Sequence, residues 1–326
     1  MEQNHQKGIS VIVCCYNSEL RLPKTIEYLA KQEIKKDIPV EIIIVNNAST
    51  DSTREVAQLE WNKYNTDFLF RIVEEEKPGL TFARKRGIKE SQYEYILFCD
   101  DDNWLQSDFL QKGFNLIESN PRIGALGGQG IAVSDVDFPD WFSDHRHWYA
   151  VGKPADDSGD VSKRGYIWGA AMLTRLDLMK KVFDDNYPFL NQDRTGNQLL
   201  SGGDHEICIR ILLLRHLLYY DKSLLFYHYI APNRLTWDYM ENLHAGISVS
   251  ESALKKYHIV YAKMDKSFFR KFLAILNHSF RIIRQRNSDV NEKNDLYAKI
   301  ACMLKSEKWI KDPDYKNIIR FYLENN

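Results

Sequence analysis

The first hundred residues alternate between short apolar runs and longer segments in which apolar residues recur every three or four positions. The short runs predict buried strands, and the periodic segments predict amphipathic helices. The predicted strands are Ile9–Val13, Val40–Val45, Phe68–Val73 and Tyr95–Cys99, and the predicted helices are Leu22–Gln32, Thr53–Tyr64 and Thr81–Glu90. Alternating strands and helices form parallel sheets with right-handed crossovers. We therefore predict an α/β fold with a doubly wound, mostly parallel sheet and helices on both faces.

The pattern of the second half is less regular. It predicts a glycine-rich strand within Pro121–Val133, an apolar strand at Tyr166–Leu173, an apolar helix that begins near Asp204 and a strand at Ser223–Tyr229. From Met264 onward the pattern is helical. We expect one α/β domain at 1–258, divided into halves at 1–103 and 104–258, followed by a helical C-terminal extension at 259–326.

Three carboxylates, Asp100, Asp101 and Asp102, end the fourth predicted strand. In open α/β sheets ligands bind beyond the carboxyl ends of the strands. Side chains alternate along an extended segment, so Asp100 and Asp102 are expected on the same side. Two neighbouring carboxylates need a cation, a shared proton or a basic partner. Oxygen ligands of this kind suit Mg²⁺ or Mn²⁺. A simpler interpretation is an acidic turn that caps a helix starting near Trp104.

Polar loops also follow the first two strands. Tyr16 and Asn17 follow the first, and Asn46 and Asn47 follow the second. Both loops can hydrogen-bond a base and a ribose, although neither is a glycine-rich dinucleotide fingerprint. The Gly79–Gly87 segment adds three cations on a predicted helix, which can either contact a diphosphate or form a solvated helix face.

The segment around Asp204 and Glu206 places two acids in the first turn of an apolar helix. The helix dipole favours anions there and lowers a carboxyl pKa. The pair can therefore be catalytic, or it can simply complement the helix charge. Further along, His228 ends a strand and Arg234 follows in a loop that contains a proline. A lone histidine at such a place is most often structural.

Composition narrows the function classes. The net charge of −1 argues against a nucleic acid as the main partner. The five cysteines are odd in number and show no paired metal spacing, which fits reduced thiols in a cytoplasmic protein. The polar start, Met1–Lys7, predicts no signal peptide. No apolar run reaches the roughly 18 residues of a membrane-spanning helix.

Taken in this order, the four motifs resemble the nucleotide-sugar domain of bacterial family 2 glycosyltransferases of the GT-A fold. They are Tyr16–Asn17, Asn46–Asp51, Gly79–Gly87 and Asp100–Asn103. The resemblance implies that Asp102 binds Mg²⁺ or Mn²⁺ on the donor diphosphate and that Asp100 lies by the ribose. It implies further donor contacts from these residues: Tyr16, Asn17, Asn46, Asn47, Arg84, Asp101 and Arg234. It also implies that His228 completes the metal site or touches the diphosphate.

The resemblance extends to the acidic pair. It implies that Asp204 is the general base and that Glu206 orients it or holds the acceptor. This chain departs from the family pattern at three places: Asn46 and Gly203 stand where the family often has acids, and Cys14–Cys15 replaces Pro-Thr. We interpret the cysteines as tolerated packing.

The resemblance implies an inverting, metal-dependent glycosyltransferase. It would move a sugar from a nucleoside-diphosphate donor, with UDP-sugars favoured, to a hydroxyl of a glycan or lipid-linked acceptor. Aromatic residues within Phe138–Tyr149 can stack on acceptor sugars, or they can form a satellite core. Two other classes stay open: a non-catalytic nucleotide-sugar or carbohydrate-binding protein and, more remotely, an aspartyl phosphatase.

The segment Lys266–Arg286 combines a stripe of apolar and aromatic residues with six cations and no acid. This pattern is typical of a helix that lies on an anionic membrane surface. It would place the protein peripherally on the inner face of the cell membrane. The alternative is that the stripe packs on the catalytic domain and the cations form a solvated rim.

Overall fold

A computed structural model of the chain describes residues 5–191, 202–264, 275, 278, 279, 290–304 and 310–326. Its strands form one sheet with the order β3-β2-β1-β4-β8-β6-β9-β5, and β7 pairs with β9 beside it. The strands are β1 (Gln6–Cys15), β2 (Val40–Asn47), β3 (Leu69–Glu75), β4 (Tyr93–Asp100), β5 (Asn103–Leu105), β6 (Ile123–Val133), β7 (Gly159–Asp160), β8 (Ala171–Arg175) and β9 (Leu217–Tyr229).

Helices cover both faces of this sheet, as the sequence predicts. They are α1 (Leu22–Ala30), α2 (Thr53–Trp61), α3 (Leu80–Glu90), α4 (Phe109–Ser119), α5 (Phe142–His145), α6 (Leu176–Val182), α7 (Gly203–Leu213), α8 (Trp237–Met264), α9 (Val290–Leu304) and α10 (Pro313–Asn325). One apolar core lies under α1, α2 and α4, and a second lies under α3, α6, α7 and the C-terminal helices. The two cores lie on opposite faces because successive residues of each strand point to opposite sides.

The first four strands of the sheet order are parallel, and their register sets up the site. Cys14 of β1 pairs with Asp100 of β4, and Cys15 pairs with Asn46 of β2. The carboxyl ends of these three strands are therefore level. The polar residues that follow each strand meet at one edge of the sheet.

The second half of the sheet is mixed. Strand β8 runs antiparallel to both β4 and β6, whereas β6 and β9 are parallel to each other. Gly128 and Gly130 of β6 let neighbouring backbone approach this strand closely. A Cβ added at Gly128 would lie 2.0 Å from Leu224 O, and one added at Gly130 would lie 2.1 Å from Ala150 O.

Three boundaries differ from the predicted ones. The strand expected at Tyr166–Leu173 begins only at Ala171, and the loop before it faces the site instead. The strand expected from Ser223 already begins at Leu217, because the end of the apolar run after α7 pairs with β6. No helix starts at Trp104: Asn103–Leu105 pairs with β9, which removes the simple interpretation of the aspartates as a helix cap.

The C-terminal helices α8, α9 and α10 pack in the apolar core that also contains α7. The expected boundary between 258 and 259 lies inside α8. Ile318, Ile319 and Phe321 of α10 are fully buried and belong to the same core as α7. Most of Lys266–Arg286 lies outside the described residues, so the predicted amphipathic helix is not tested. Within the described parts, none of the helices has an apolar stretch long enough to cross a bilayer.

Candidate active site

One cavity of about 320 Å³ opens at the edge of the sheet where β1, β2 and β4 end. It brings together residues from both halves of the chain. Asp100 and Asp102 line it on one side and Asp204 on the other. The sequence places Asp204 about a hundred positions from the other two, so only the fold unites them. Of the predicted site residues, these also line the cavity: Tyr16, Asn47, Arg84, Asp101, His228 and Arg234.

Three arginines in the cavity wall each contact one aspartate. Arg21 Nη2 lies 2.8 Å from Asp101 Oδ2, and Arg234 Nη1 lies 2.9 Å from Asp102 Oδ2. The third pair joins Arg84 and Asp204. Each arginine has several N–H donors, so it can bind an anion in the cavity and keep its carboxylate partner.

The two aspartates Asp100 and Asp102 at the end of β4 have pKa values that are shifted in opposite directions. Burial, and after it the neighbouring Asp102, raise the pKa of Asp100 to about 7 against the lowering influence of Arg84. Burial would also raise the pKa of Asp102, but His228 and Arg234 outweigh burial and hold it below its usual range. Asp102 is thus the permanently charged carboxylate of the pair, and Asp100 gains a proton near neutral pH.

Asp102 and His228 fit a divalent cation. Asp102 Oδ1 is buried and accepts no hydrogen bond, and His228 Nε2 lies 3.4 Å from it. Carboxylate oxygen and neutral imidazole are both ligands of Mn²⁺-type metals, and Mg²⁺ often takes only one or two protein carboxylates beside phosphate and water. In the described part of the chain, no group of three or more His, Cys, Asp or Glu side chains is arranged around one metal position. Asp102 and His228 therefore fit a cation that takes its remaining ligands from phosphate and water.

Asp204 occupies the first turn of α7 and faces the cavity. Its Oδ1 lies 2.8 Å from Arg84 Nη2, and its Oδ2 accepts a hydrogen bond of 2.8 Å from the Gly169 backbone N–H. Burial tends to raise the pKa of Asp204, but Arg84 and the Gly169 N–H outweigh burial and lower it. Gly169 is required here, because an added Cβ would lie 2.3 Å from Asp204 Oδ1.

Glu206 does not share this orientation, and the expectation that it assists the base or holds the acceptor needs correction. Its side chain is fully buried, does not line the cavity and accepts hydrogen bonds from Arg210, Tyr257 and the backbone N–H groups of Leu190 and Asn191. Asp204 and Glu206 are two positions apart on a helix, which places them on different faces. We therefore assign Glu206 to the interior framework behind the site.

The two asparagine loops divide between lining the cavity and supporting it. Tyr16 is 39% exposed and lines the cavity. Asn17 Oδ1 instead accepts a hydrogen bond from Thr50 N, which ties the first loop to the second. Asn46 is not among the residues that line the cavity, and its Nδ2 donates a hydrogen bond to Glu74 Oε2. Asn47 lines the cavity and fixes the loop that leads to α3 by accepting from Gly79 N at 2.8 Å.

Of the three cations within Gly79–Gly87, only the first faces the site. Arg84 is 3% exposed and lines the cavity. Lys85 pairs with Asp185, and Arg86 pairs with Glu90 at 3.1 Å. Arg84 is therefore placed to contact a ligand in the cavity, whereas Lys85 and Arg86 pair with acids away from it.

The sequence interpretation missed several residues of the site. Arg21 and Trp168 line the cavity, and so do the cysteines at the end of β1. Trp148 lines it as well, and it belongs to the aromatic segment Phe138–Tyr149 for which the sequence offered acceptor stacking as one alternative. Arg21 follows the Tyr16–Asn17 loop by only a few positions, which is the signal that would have included it. Trp168 lies in the loop that was expected to be a strand.

The sequence profile of the family described as "Glycosyl transferase family 2" matches residues 10–183. Among curated relatives, a poly-beta-1,6-N-acetyl-D-glucosamine synthase of Staphylococcus epidermidis is 34% identical over 127 residues, which is 39% of this chain and 29% of the relative. A cholesterol galactosyltransferase of Borreliella burgdorferi is 32% identical over 111 residues, or 34% of this chain and 29% of the relative. The matched part thus spans about three tenths of these relatives.

Solved structures show the same fold over nearly the whole chain. The crystal structure of S. aureus TarS 1–349 in complex with UDP-GlcNAc superposes with a TM-score of 0.54 at 16% identity, covering 97% of this chain and 89% of that one. The same fragment in complex with UDP gives a TM-score of 0.51 at 16% identity, covering 98% and 88%. The family profile covers the strand ends that carry Tyr16, Asn47 and Asp100–Asp102 and extends over more than half of the sequence. This chain therefore belongs to glycosyl transferase family 2.

Proposed function

We propose that this protein is an inverting, metal-dependent glycosyltransferase. It moves a hexose from a nucleoside-diphosphate sugar, with UDP favoured, to a hydroxyl group of a glycan or lipid-linked acceptor. The observation that carries the proposal is a single cavity that contains both the Asp100–Asp102 end of β4 and Asp204. A non-catalytic nucleotide-sugar-binding protein would need the first group of residues but has no use for Asp204.

The donor diphosphate fits the charged side of the cavity. Arg21, Arg84 and Arg234 supply donors for phosphate oxygens. A divalent cation held by Asp102 Oδ1 and His228 Nε2 would stabilise the charge of the leaving nucleoside diphosphate. UDP as the nucleotide is supported by the UDP and UDP-GlcNAc complexes of TarS.

Asp204 acts on the acceptor. It takes the proton of the acceptor hydroxyl through the carboxylate oxygens that Arg84 and Gly169 orient. The acceptor oxygen then forms a bond to the anomeric carbon while the bond from that carbon to the diphosphate oxygen breaks. The leaving group takes the electron pair of the broken bond. Attack from the face opposite the leaving group inverts the anomeric centre. General-base assistance of this kind contributes about 10²–10⁴-fold.

An aspartyl phosphatase does not suit this arrangement. Its nucleophile would end the first strand of its sheet, but here β1 ends in Cys14–Cys15 and the acids end β4.

A cytoplasmic location is part of the proposal. None of the five cysteines is part of a disulfide among the described residues, and reduced thiols persist in the cytoplasm. Peripheral binding to an anionic membrane surface through Lys266–Arg286 stays a prediction. Flotation with vesicles tests it, because binding must require anionic lipid and fall as salt rises.

Hydrolysis of a panel of sugar nucleotides, measured with Mn²⁺ and with EDTA, tests the function. We expect slow release of a nucleoside diphosphate from one class of donor, dependent on the metal and faster when the acceptor is present. Binding of the donors without any release of nucleoside diphosphate would favour the non-catalytic alternative.

A further inference from the structure

Five aromatic rings form a continuous surface that leads away from the cavity. We call it the aromatic ledge and define it as Trp141, His145, Trp148, Trp237 and His244. Trp148 lines the cavity that contains Asp204, whereas Trp237 lies at the other end and is 48% exposed. The ledge therefore joins the candidate site to open solvent.

Ring contacts hold the ledge together. Trp148 stacks on His244 with centroids 4.5 Å apart, and His145 lies 4.8 Å from Trp148. Trp237 follows at 6.1 Å from His145, with Trp141 5.8 Å from it. Each step is about the width of a pyranose ring. Because Trp148 alone reaches the cavity, the other rings are placed to contact parts of a ligand that extend beyond the reacting sugar.

A separate small core supports the ledge from below. Phe142, Tyr149, Leu235 and Leu243 are buried together beneath the rings. The satellite core and the acceptor surface, which the sequence left as alternatives, are thus two layers of one structure. A surface held rigid in advance loses little conformational entropy when it binds a ligand.

The charge around the ledge favours a glycan over an anionic lipid surface. Within the two segments that carry the rings, 138–149 and 236–244, the exposed acids are Asp140, Asp144, Asp238 and Glu241, and the exposed cation is Arg146. These acids would repel anionic headgroups. Trp237 Nε1 donates to Glu241 Oε1 at 3.0 Å, so the exposed ring combines an apolar face with a carboxylate at its edge. Apolar faces suit the C–H faces of sugars, and carboxylates accept hydrogen bonds from their hydroxyl groups.

We infer that the ledge binds an oligosaccharide acceptor, with the reacting unit at Asp204 and the following units along Trp148, His145 and Trp237. The acceptor is then a neutral sugar chain of three or more units rather than a single small alcohol. This inference rests on the proposed function for its direction of chain entry, but binding itself can be measured without turnover.

The test uses an array of neutral oligosaccharides of one to six units from glucan, mannan, galactan and N-acetylglucosamine series, probed with the full chain in the presence of UDP and Mn²⁺. We expect retention to rise with chain length up to at least three units. Trp237→Ala should lose about tenfold in affinity for the long chains, the size of one aromatic contact of about 1.4 kcal/mol. Trp237→Phe should recover most of it.

The matched control is Tyr297→Ala, which removes an aromatic ring that is 44% exposed on α9. It should bind every chain like the wild type, and both alanine variants should melt within a few degrees of it. Absence of glycan binding, or long-chain binding that is unaffected by Trp237→Ala, would overturn the inference. Wild-type binding to phosphatidylglycerol vesicles that is lost in Trp237→Ala would also overturn it, in favour of a lipid surface.

Donor hydrolysis on the same preparation separates the two proposals. Length-dependent glycan binding without hydrolysis supports the ledge and refutes the transferase. Hydrolysis without dependence on chain length supports the transferase and refutes the ledge.

Discussion

The guanidinium of Arg84 lies 2.8 Å from Asp204 Oδ1, in the wall of the cavity that also contains Asp100. The Gly169 N–H binds the other oxygen of the same carboxylate. Asp204 is therefore held in one orientation and kept charged. Arg84 also lowers the pKa of Asp100. A single arginine thus influences both the carboxylate at the donor and the proposed base.

Replacement of Arg84 by Gln should move the acidic limb of the pH–rate profile to higher pH. The base acts only when it is deprotonated. Without Arg84, burial dominates and the pKa of Asp204 rises. As the pH is lowered, the variant should therefore lose activity at a higher pH than the wild type does. In alkaline buffer its activity should recover. The measurement is kcat/KM for transfer across pH, which reports ionisations of the free enzyme.

Arg86→Gln serves as the control for this profile, because Arg86 lies on the same helix but pairs with Glu90 away from the cavity. It should leave the acidic limb in place. An unchanged acidic limb in Arg84→Gln would show that Arg84 does not set the ionisation of the base.

Asp204→Asn should lower turnover by about 10²–10⁴-fold, since the amide keeps the shape of the side chain and loses its basicity. Donor affinity should change little, because the donor side of the cavity is intact. Steady-state transfer kinetics and calorimetry with UDP measure the two quantities. Asp185→Asn, at an exposed carboxylate that pairs with Lys85, is the matched control. Turnover close to that of the wild type would place the base elsewhere.

Asp102→Asn should remove the metal-dependent part of UDP binding. Loss of an outer partner of a metal ligand typically costs about 10–100-fold in metal affinity, and loss of a direct ligand should cost at least as much. Calorimetry of UDP with Mn²⁺ and with EDTA gives the difference. Asp108→Asn, at a carboxylate paired with Lys112 on α4, should behave like the wild type. Equal metal dependence in the Asp102 variant would remove this residue from the metal site.

Most of the residues that the sequence predicts for the donor side lie together at one edge of the sheet, for a physical reason. Each of its motifs is local: an apolar strand followed at once by polar residues. Parallel pairing then brings the motifs together at one edge, as the Cys14–Asp100 register shows. The family profile covers these donor-side motifs but ends at residue 183, before Asp204, so the role of Asp204 as the base stays a prediction.

The sequence pattern alone does not place residues that reach the site only through contacts with residues far away in the sequence. Asp101, 80 positions away, holds Arg21 in the site, so the nearness of Arg21 to the Tyr16–Asn17 loop was only a local signal, and the aromatic ledge joins His145 to Trp237 across a similar gap. The first turn of an apolar helix does not reveal which of two acids faces the cavity. Only the position of Tyr257 on α8 and of Arg210 one turn along α7 shows that Glu206 points inward.

Glu206→Gln should therefore reduce stability rather than catalysis. The carboxylate lies 3.0 Å from Arg210 Nη2, and both side chains are almost completely buried. Removing one charge of a buried pair costs about 3–5 kcal/mol, because the other charge is left without its partner. The new amide would also turn a donor toward Leu190 N or Asn191 N, which already donate. Urea unfolding should show this loss, whereas Glu251→Gln, at an exposed position of α8, should stay within about 0.5 kcal/mol of the wild type. A Glu206 variant that unfolds like the wild type but no longer transfers sugar would restore this residue to the acceptor site.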